Sequence, residues 1–252
     1  MRVVITGASS GVGAALAGEY ARRGAVLGLI ARRREPVERL RAALPGEHAA
    51  YAVDVRDAQA MRAAAADFCA RCGGADVVIG NAGVSTGTLT DRAEDEPVFR
   101  EILDINVVGL FNTFQPFLPL MRAARRGTLV GIASVAGFRG LPGAGAYSAS
   151  KAAAIAYLES LRVELHGSGV RVVTISPGYI ATPMTERNPY PMPFILSADE
   201  AARRIARAIE RRRSHSVIPW QMGLVGGVLK ALPRPVYDRL FARAPRKPRR
   251  IG

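Results

Sequence analysis

The sequence predicts a single α/β domain built on a parallel β-sheet, and three observations carry that prediction. Short apolar runs alternate with amphipathic helical patterns from the first residues onward, the order that βαβ units produce. The first run, Arg2 to Thr6, passes directly into Gly7-Ala8-Ser9-Ser10-Gly11-Val12-Gly13 and then into a helix. Polar and glycine residues follow several later runs, which puts them together along the carboxyl edge of such a sheet. With 252 residues, 49% of them apolar, the chain is long enough to bury the core this fold needs.

The helix after the first strand carries Val12, Leu16, Ala17 and Tyr20 on one face until Gly24 stops it. Strand, glycine turn and helix together offer a helix N-terminus and free backbone N–H groups to a pyrophosphate. An ordinary tight turn would use the same glycines. The second strand, Val26 to Ala31, ends in Arg32-Arg33-Arg34, with no Asp or Glu before Glu35. An acid at this point holds the ribose hydroxyls of NAD, whereas an arginine accommodates a 2′-phosphate. The sequence therefore predicts NADP(H), with NAD(H) as the weaker alternative. A solvated basic start to the next helix is the structural reading of the same arginines.

The alternation continues through a helix over Pro36 to Leu44, a strand over Ala49 to Val53, a helix over Ala58 to Arg71 and a strand over Ala75 to Ile79. Asp54 and Val55 follow the third strand, and Asn81-Ala82-Gly83 follow the fourth. Either group could merely cap a turn. On one sheet edge they read as the wall of a cofactor crevice. Val98 to Arg122 reads as one long helix with Asn106 among apolar residues, a costly position for an amide without partners.

A strand over Thr128 to Ala133 ends in Ser134, and a glycine-rich loop leads to Tyr147. The following helix runs to Leu165. Tyr147 and Lys151 lie at i and i+4, so phenol and ammonium are neighbours on one helical face. A free phenol titrates near ~10. A nearby cation favours the phenolate and lowers that value towards the range useful in acid–base catalysis. The spacing alone is weak, since chance supplies many copies.

After a strand over Val170 to Ile175 comes Ser176-Pro177-Gly178-Tyr179-Ile180-Ala181-Thr182-Pro183. The loop to Ser197 carries further prolines with Met184, Tyr190, Met192, Phe194 and Ile195 between them. It reads as a lid with an apolar inner surface. Ser197 is the expected N-cap of a helix to about Arg212, and a short strand covers Ser216 to Ile218. Residues 219–252 form an extension, helical from Trp220 to Phe241 and expected to be disordered from Pro245 to Gly252.

Composition narrows the classes of function. No export signal precedes the first strand. No run reaches the ~20 apolar residues that span a bilayer, Val217 to Pro233 being interrupted by Gln221, Lys230 and glycines. A cytoplasmic protein is expected. Cys69 and Cys72 form a C-x-x-C without the second ligand pair a zinc site needs, and read as ordinary thiols. Of the net charge of +14, Arg203 to Arg250 carries 14 Lys/Arg against two Asp/Glu, or +12. Such a block suits acidic lipid, nucleic acid or phosphorylated ligands, and an arginine-rich coding composition would produce it as well. It has no aromatic interleaving and no nucleic-acid-binding module, so no nucleic-acid partner is expected.

Taken together, the glycine motif Thr6 to Gly13, Asp54, Asn81-Ala82-Gly83, Asn106, Ser134, Tyr147, Lys151 and Pro177-Gly178 resemble the classical short-chain dehydrogenases/reductases, in order and in spacing, over roughly Arg2 to Ile218. The resemblance implies a Rossmann-type doubly wound sheet of about seven parallel strands, and an Asn106-Ser134-Tyr147-Lys151 tetrad. It implies that Tyr147 is the general acid or base, that Ser134 hydrogen-bonds the substrate oxygen, and that Lys151 lowers the tyrosine pKa and binds the nicotinamide ribose. Asn106 would hold a water that links Lys151 to solvent. Cofactor contacts are expected from Gly7, Ser9, Ser10, Gly11, Val12, Gly13, Arg32, Arg33, Asp54, Val55, Asn81, Ala82, Gly83, Pro177, Gly178, Ile180 and Thr182. The implied activity interconverts a carbonyl and an alcohol on an apolar substrate, in a homodimer or homotetramer. Relatives with extensions like 219–252 suggest a lipophilic substrate, peripheral membrane contact, a subunit interface or an extra layer over the cleft. A non-catalytic NADP-binding sensor or scaffold is the competing function.

Overall fold

Period-two alternation within the apolar runs decides which side chain reaches which face of the sheet. In the computed structural model, which describes residues 1–186, 188–211 and 213–249, Val3 and Ile5 of β1 (Arg2–Thr6) enter one apolar cluster and Val4 enters the other. The same split recurs in β2 (Val26–Ala31), β4 (Val77–Gly80), β5 (Gly127–Ile132) and β6 (Val170–Pro177). With β3 (Ala49–Ala52) and β9 (His215–Ile218) they form a seven-stranded parallel sheet in the order β3-β2-β1-β4-β5-β6-β9.

Both faces are covered, as a parallel sheet requires. On one side α1 (Gly11–Arg22), α2 (Arg34–Ala43) and α8 (Ala198–Glu210) supply Leu16, Tyr20, Val37, Ile205 and Ile209. On the other, α3 (Ala58–Cys72), α5 (Gly109–Phe114) and α7 (Gly145–Glu164) supply Phe68, Phe114 and Leu158. The chain runs outward from β1 through β2 to β3 and returns to place β4 beside β1. The crevice at that reversal, beyond the carboxyl ends of β1 and β4, is where this topology receives ligands.

Three expectations change. The stretch from Val98 to Arg122 is not one helix. It comprises α4 (Glu96–Leu103), a π-helical segment Asp104–Val108, α5, and α6 (Leu118–Ala123). Asn106 sits in the π segment, where its side chain bonds Val84, and Pro116 cannot donate the bond that would carry α5 into α6. The helix capped by Ser197 ends at Glu210, with Arg211 as its C-cap, and Arg212 lies outside the described residues. Its N-cap is as expected: Ser197 Oγ accepts from Glu200 N at 3.2 Å.

The third change concerns the extension. It folds as α9 (Trp220–Ala231) and α10 (Arg234–Phe241), and residues 245–249 are not loose. Gly87 N donates to Pro248 O at 2.9 Å, and Arg249 pairs with Asp95 and Glu94. Backbone pairing and ion pairs supply the order that the local composition, basic and proline-rich, does not suggest. Arg250 to Gly252 lie outside the described residues. Met222 of α9 packs on Gly178, and Phe138 packs on Gly226, so the extension covers the carboxyl edge of the sheet. Among the described residues no helix is long and apolar enough to cross a membrane.

Candidate active site

The cleft at the β1/β4 reversal has a volume of about 440 Å³ and runs from the glycine turn to Tyr147. The turn begins at Gly7, whose φ of +67° favours glycine and whose Cβ would lie 2.8 Å from Ala82 Cα. Gly13 allows the first turn of α1 to press on the same loop, since a Cβ there would meet Gly7 O and lie 2.6 Å from Asn81 Nδ2. Asn81 fixes the loop from the neighbouring strand end, its Nδ2 donating to Thr6 O at 3.0 Å and to Gly7 O at 3.3 Å. The side chain of Ser10, at the N-cap of α1, makes no capping bond. A tight backbone cradle at an exposed helix N-terminus fits a diphosphate.

At one end of the cleft, Arg32 and Arg33 line the wall with Asp54 and Val55. Arg32 is largely exposed, 3.9 Å from Glu101. Asp54 is held by Arg56, whose Nη2 lies 2.7 Å from Oδ2, and this bond keeps the carboxyl below its ordinary range. Basic side chains at this edge fit a 2′-phosphate, and no carboxylate belongs to the segment between β2 and α2.

At the other end stand Ser134, Tyr147 and Lys151. Ser134 leaves β5 and caps the turn Val135–Gly137, its Oγ accepting from Ala136 N at 3.1 Å. Its hydroxyl donates to Pro177 O at 3.5 Å and lies near the Tyr147 phenol, which lines the same cleft. Lys151, 5% exposed, donates from Nζ to Ile132 O at 2.8 Å and lies 5.8 Å from the centre of the Tyr147 ring. Burial lowers the Lys151 pKa to about 8. Burial also raises the Tyr147 phenol above its ordinary value, and the nearby Ser134 hydroxyl opposes this in part. The direction is the reverse of the one expected from Tyr-x-x-x-Lys spacing. Desolvation of the phenol dominates here, and the Lys151 ammonium is directed at a carbonyl.

All but two of the predicted site residues line this one cleft. Gly13 stands behind the glycine turn. Asn106 stands behind Gly83, where a Cβ would lie 3.2 Å from Asn106 Oδ1 and 3.5 Å from Lys151 Nζ. The Asn106 amide makes three bonds: Oδ1 accepts from Val84 N at 2.9 Å, and Nδ2 donates to Val84 O at 3.0 Å and to Ser150 Oγ at 2.9 Å. Its side chain therefore braces the site.

Thr182 opens the loop over the cleft, and a Cβ on Gly11 would lie 3.3 Å from its Cγ2, so loop and glycine turn face each other. The loop closes on itself through β7 (Ile180–Ala181) and β8 (Leu196–Ser197). Pro183, Met184 and Thr185 line the cleft beside it. Arg187 lies outside the described residues.

Three contributors escaped the sequence reading. Thr185 Oγ1 donates to Ile180 O at 2.6 Å and accepts from Thr182 N at 3.0 Å, pinning the loop; its i+3 spacing from Thr182 was the available signal. Ser150 Oγ donates to Tyr147 O at 2.7 Å while receiving the Asn106 amide, joining two tetrad positions. Arg56 orients Asp54 from two residues away. Cys69 and Cys72 are free thiols, burial raises the Cys69 pKa, and no cluster among the described residues could hold a metal.

The family described as short chain dehydrogenase matches residues 1–191. A Myxococcus xanthus protein described as an uncharacterized oxidoreductase is 41% identical over 245 residues, covering 95% of this chain and 96% of that one. The crystal structure of a short-chain dehydrogenase from Streptomyces avermitilis superposes with a TM-score of 0.80 at 28% identity, covering 96% of this chain and 97% of the other. An alcohol dehydrogenase from the archaeon Thermococcus sibiricus, solved with 5-hydroxy-NADP, superposes with a TM-score of 0.75 at 27% identity, covering 86% and 95%.

Proposed function

The chain belongs to the short-chain dehydrogenase family and is an oxidoreductase of that type, and from this premise we propose that it interconverts a carbonyl and an alcohol with NADP(H), using Tyr147 as the proton donor and acceptor. The observation that carries the reading is the meeting of Ser134, Tyr147 and Lys151 at one end of a cleft whose other end is a phosphate cradle. The bound nucleotide would supply or accept the hydride.

The chain's own groups do the rest. Gly7, Ser9, Ser10, Gly11 and Val12 would hold the diphosphate, and Arg32 with Arg33 the 2′-phosphate. Lys151 would hold the nicotinamide ribose, beside Asn81 and Gly83. The Ser134 hydroxyl, which shares the cleft with the phenol and has only a long bond to Pro177 O, would turn to donate to a substrate oxygen as negative charge develops on it. The Tyr147 phenol, kept protonated by burial, can then release its proton to that oxygen. Ser150 and Asn106 hold the Tyr147 backbone in register with the wall at Val84. Water is limited by the loop between β7 and β8 and by α9 against Gly178. The Thermococcus enzyme, an alcohol dehydrogenase with a bound NADP derivative, supports both the reaction and the cofactor. Apolar Met184 in the cleft wall supports an apolar substrate.

The test is oxidation of NADPH or NADH, followed at 340 nm over ketones and aldehydes graded by size, with native protein and Tyr147→Phe. Loss of one proton donor is expected to lower kcat by about 10²–10⁴-fold, while NADPH binding, read by fluorescence, changes little. A Tyr147→Phe protein that turns over normally would remove this mechanism. A protein that binds NADPH but reduces nothing would favour the sensor role.

A further inference from the structure

Residues 246–249 run as a strap past Gly143, Gly87 and the Tyr147 ring. Gly87 pairs with the strap on one side, through its N–H to Pro248 O at 2.9 Å and a parallel bridge to Arg249. Next to it, Thr88 N donates to Gly143 O at 3.0 Å and bridges Ala144, where the chain enters α7 and reaches Tyr147. Arg249 anchors the strap with Nε 2.7 Å from Asp95 Oδ2, Nη2 2.9 Å from Asp95 Oδ1 and Nη2 2.8 Å from Glu94 Oε1. Asp95 is only 3% exposed and also accepts from Leu89 N. On the near side Arg246 packs on Gly143, where a Cβ would lie 2.8 Å from Arg246 Cβ.

Between these anchors Lys247 turns inward. Its Nζ donates to Ser85 Oγ at 2.8 Å and lies 5.8 Å from the centre of the Tyr147 ring, the same distance as Lys151. Burial lowers its pKa to about 8. No carboxylate among the described residues forms an ion pair with it, and its partner is a neutral hydroxyl. A partly desolvated ammonium without a counter-charge is costly unless something supplies one. Lys151 has an assigned task in the proposed reaction; Lys247, arriving from the far end of the chain, has none.

We propose that Lys247 forms a substrate subsite for an anion, so that the preferred substrate is a carbonyl compound, or the matching alcohol, whose apolar body carries a carboxylate. This deepens the oxidoreductase reading and rests on it. The strap holds the ammonium beside the catalytic ring, where a carboxylate a few bonds from the reacting carbon can meet it. The apolar lining of the cleft takes the body between.

Benzoylpropionate and its methyl ester present the same aryl ketone with and without the charge. With NADPH, the native protein is expected to favour the acid. Lys247→Met should lower kcat/KM for the acid at least about tenfold more than for the ester, mainly through KM, and Lys247→Arg should restore most of the difference. An equal fall for acid and ester would make Lys247 a general electrostatic or structural element and overturn the proposal, as would no change in the ratio. Calorimetric binding of the two compounds to the protein–NADP complex reads the same preference without turnover. Equal binding of acid and ester to the native protein overturns the subsite. Absence of turnover with both cofactors counts against the oxidoreductase reading alone.

Discussion

Lys151 and Tyr147 are both displaced from their ordinary titration ranges by the same cause, removal from water, and the displacement has a kinetic sign. Below pH about 8 the pair consists of an ammonium and a neutral phenol; as pH rises through about 8, Lys151 loses its proton and the phenol remains neutral. Carbonyl reduction should therefore hold level near neutrality and fall along a limb centred near 8. Initial rates of the Lys247→Met protein between pH 6 and 10 at saturating cofactor would measure it without the second lysine beside the ring, and a limb centred near ~10, the ordinary lysine value, would show that Lys151 does not govern the step. At this scale the sequence was legible for placement, since the residues it singled out gather around one cleft. It identified Tyr147, Lys151 and Ser134 as neighbours and singled out Asn106 as an amide in need of partners. It misjudged how those groups are tuned. Spacing reveals the cation beside the phenol, whereas burial and the Ile132 carbonyl that takes the ammonium depend on the assembled sheet. Ser150 was invisible as a link for the same reason, because its partner Asn106 is 44 residues away.

Elements were legible wherever their pattern was local. Short apolar runs and helical faces located the strands and helices on both sides of the sheet, and Ser197 announced its cap. The break between α4 and α5 was not legible, because it follows from the tertiary bonds of Asn106 to Val84, although Pro116 marked the next break openly. The extension read correctly as helical, but nothing in its composition said what it packs on. Arg139 supplies much of that answer. Its Nη1 donates to Leu229 O at 2.6 Å and to Leu232 O at 2.7 Å, satisfying carbonyls at the end of α9, and its guanidinium carbon lies 4.0 Å from the centre of the Tyr237 ring of α10. Tyr237 in turn donates to Gly140 O at 2.5 Å. Arg139→Ala should destabilise the protein by about 2 kcal/mol and expose the segment from Trp220 onward to protease. Urea unfolding and limited proteolysis would measure both effects. An unchanged midpoint and digestion pattern would mean that apolar packing alone fixes the extension.

On the scale of the molecule, three distant parts of the chain come together. The first half supplies the glycine turn, α7 supplies Tyr147 and Lys151, and residues 246–249 return to lie against the loop that follows Gly83. The bond from Lys247 to Ser85 spans 162 residues, and contacts of that length are earned only after the sheet has formed. The strap is a narrow contact surface with few buried apolar side chains, whereas β1, β4 and β5 lie in the core. Its opening should therefore require far less than global unfolding. The consequence is a built-in reporter. The amide hydrogen of Gly87 is sequestered by Pro248 O alone, so its exchange with deuterated solvent clocks the lifting of the strap, while the amides of β1 and β4 clock the sheet. Gly87 should exchange orders of magnitude faster than Val4 or Ile79, and a ligand that bridges Lys247 and the cleft should slow Gly87 selectively. Exchange of Gly87 in step with the sheet would mean that the strap and the sheet open as one unit.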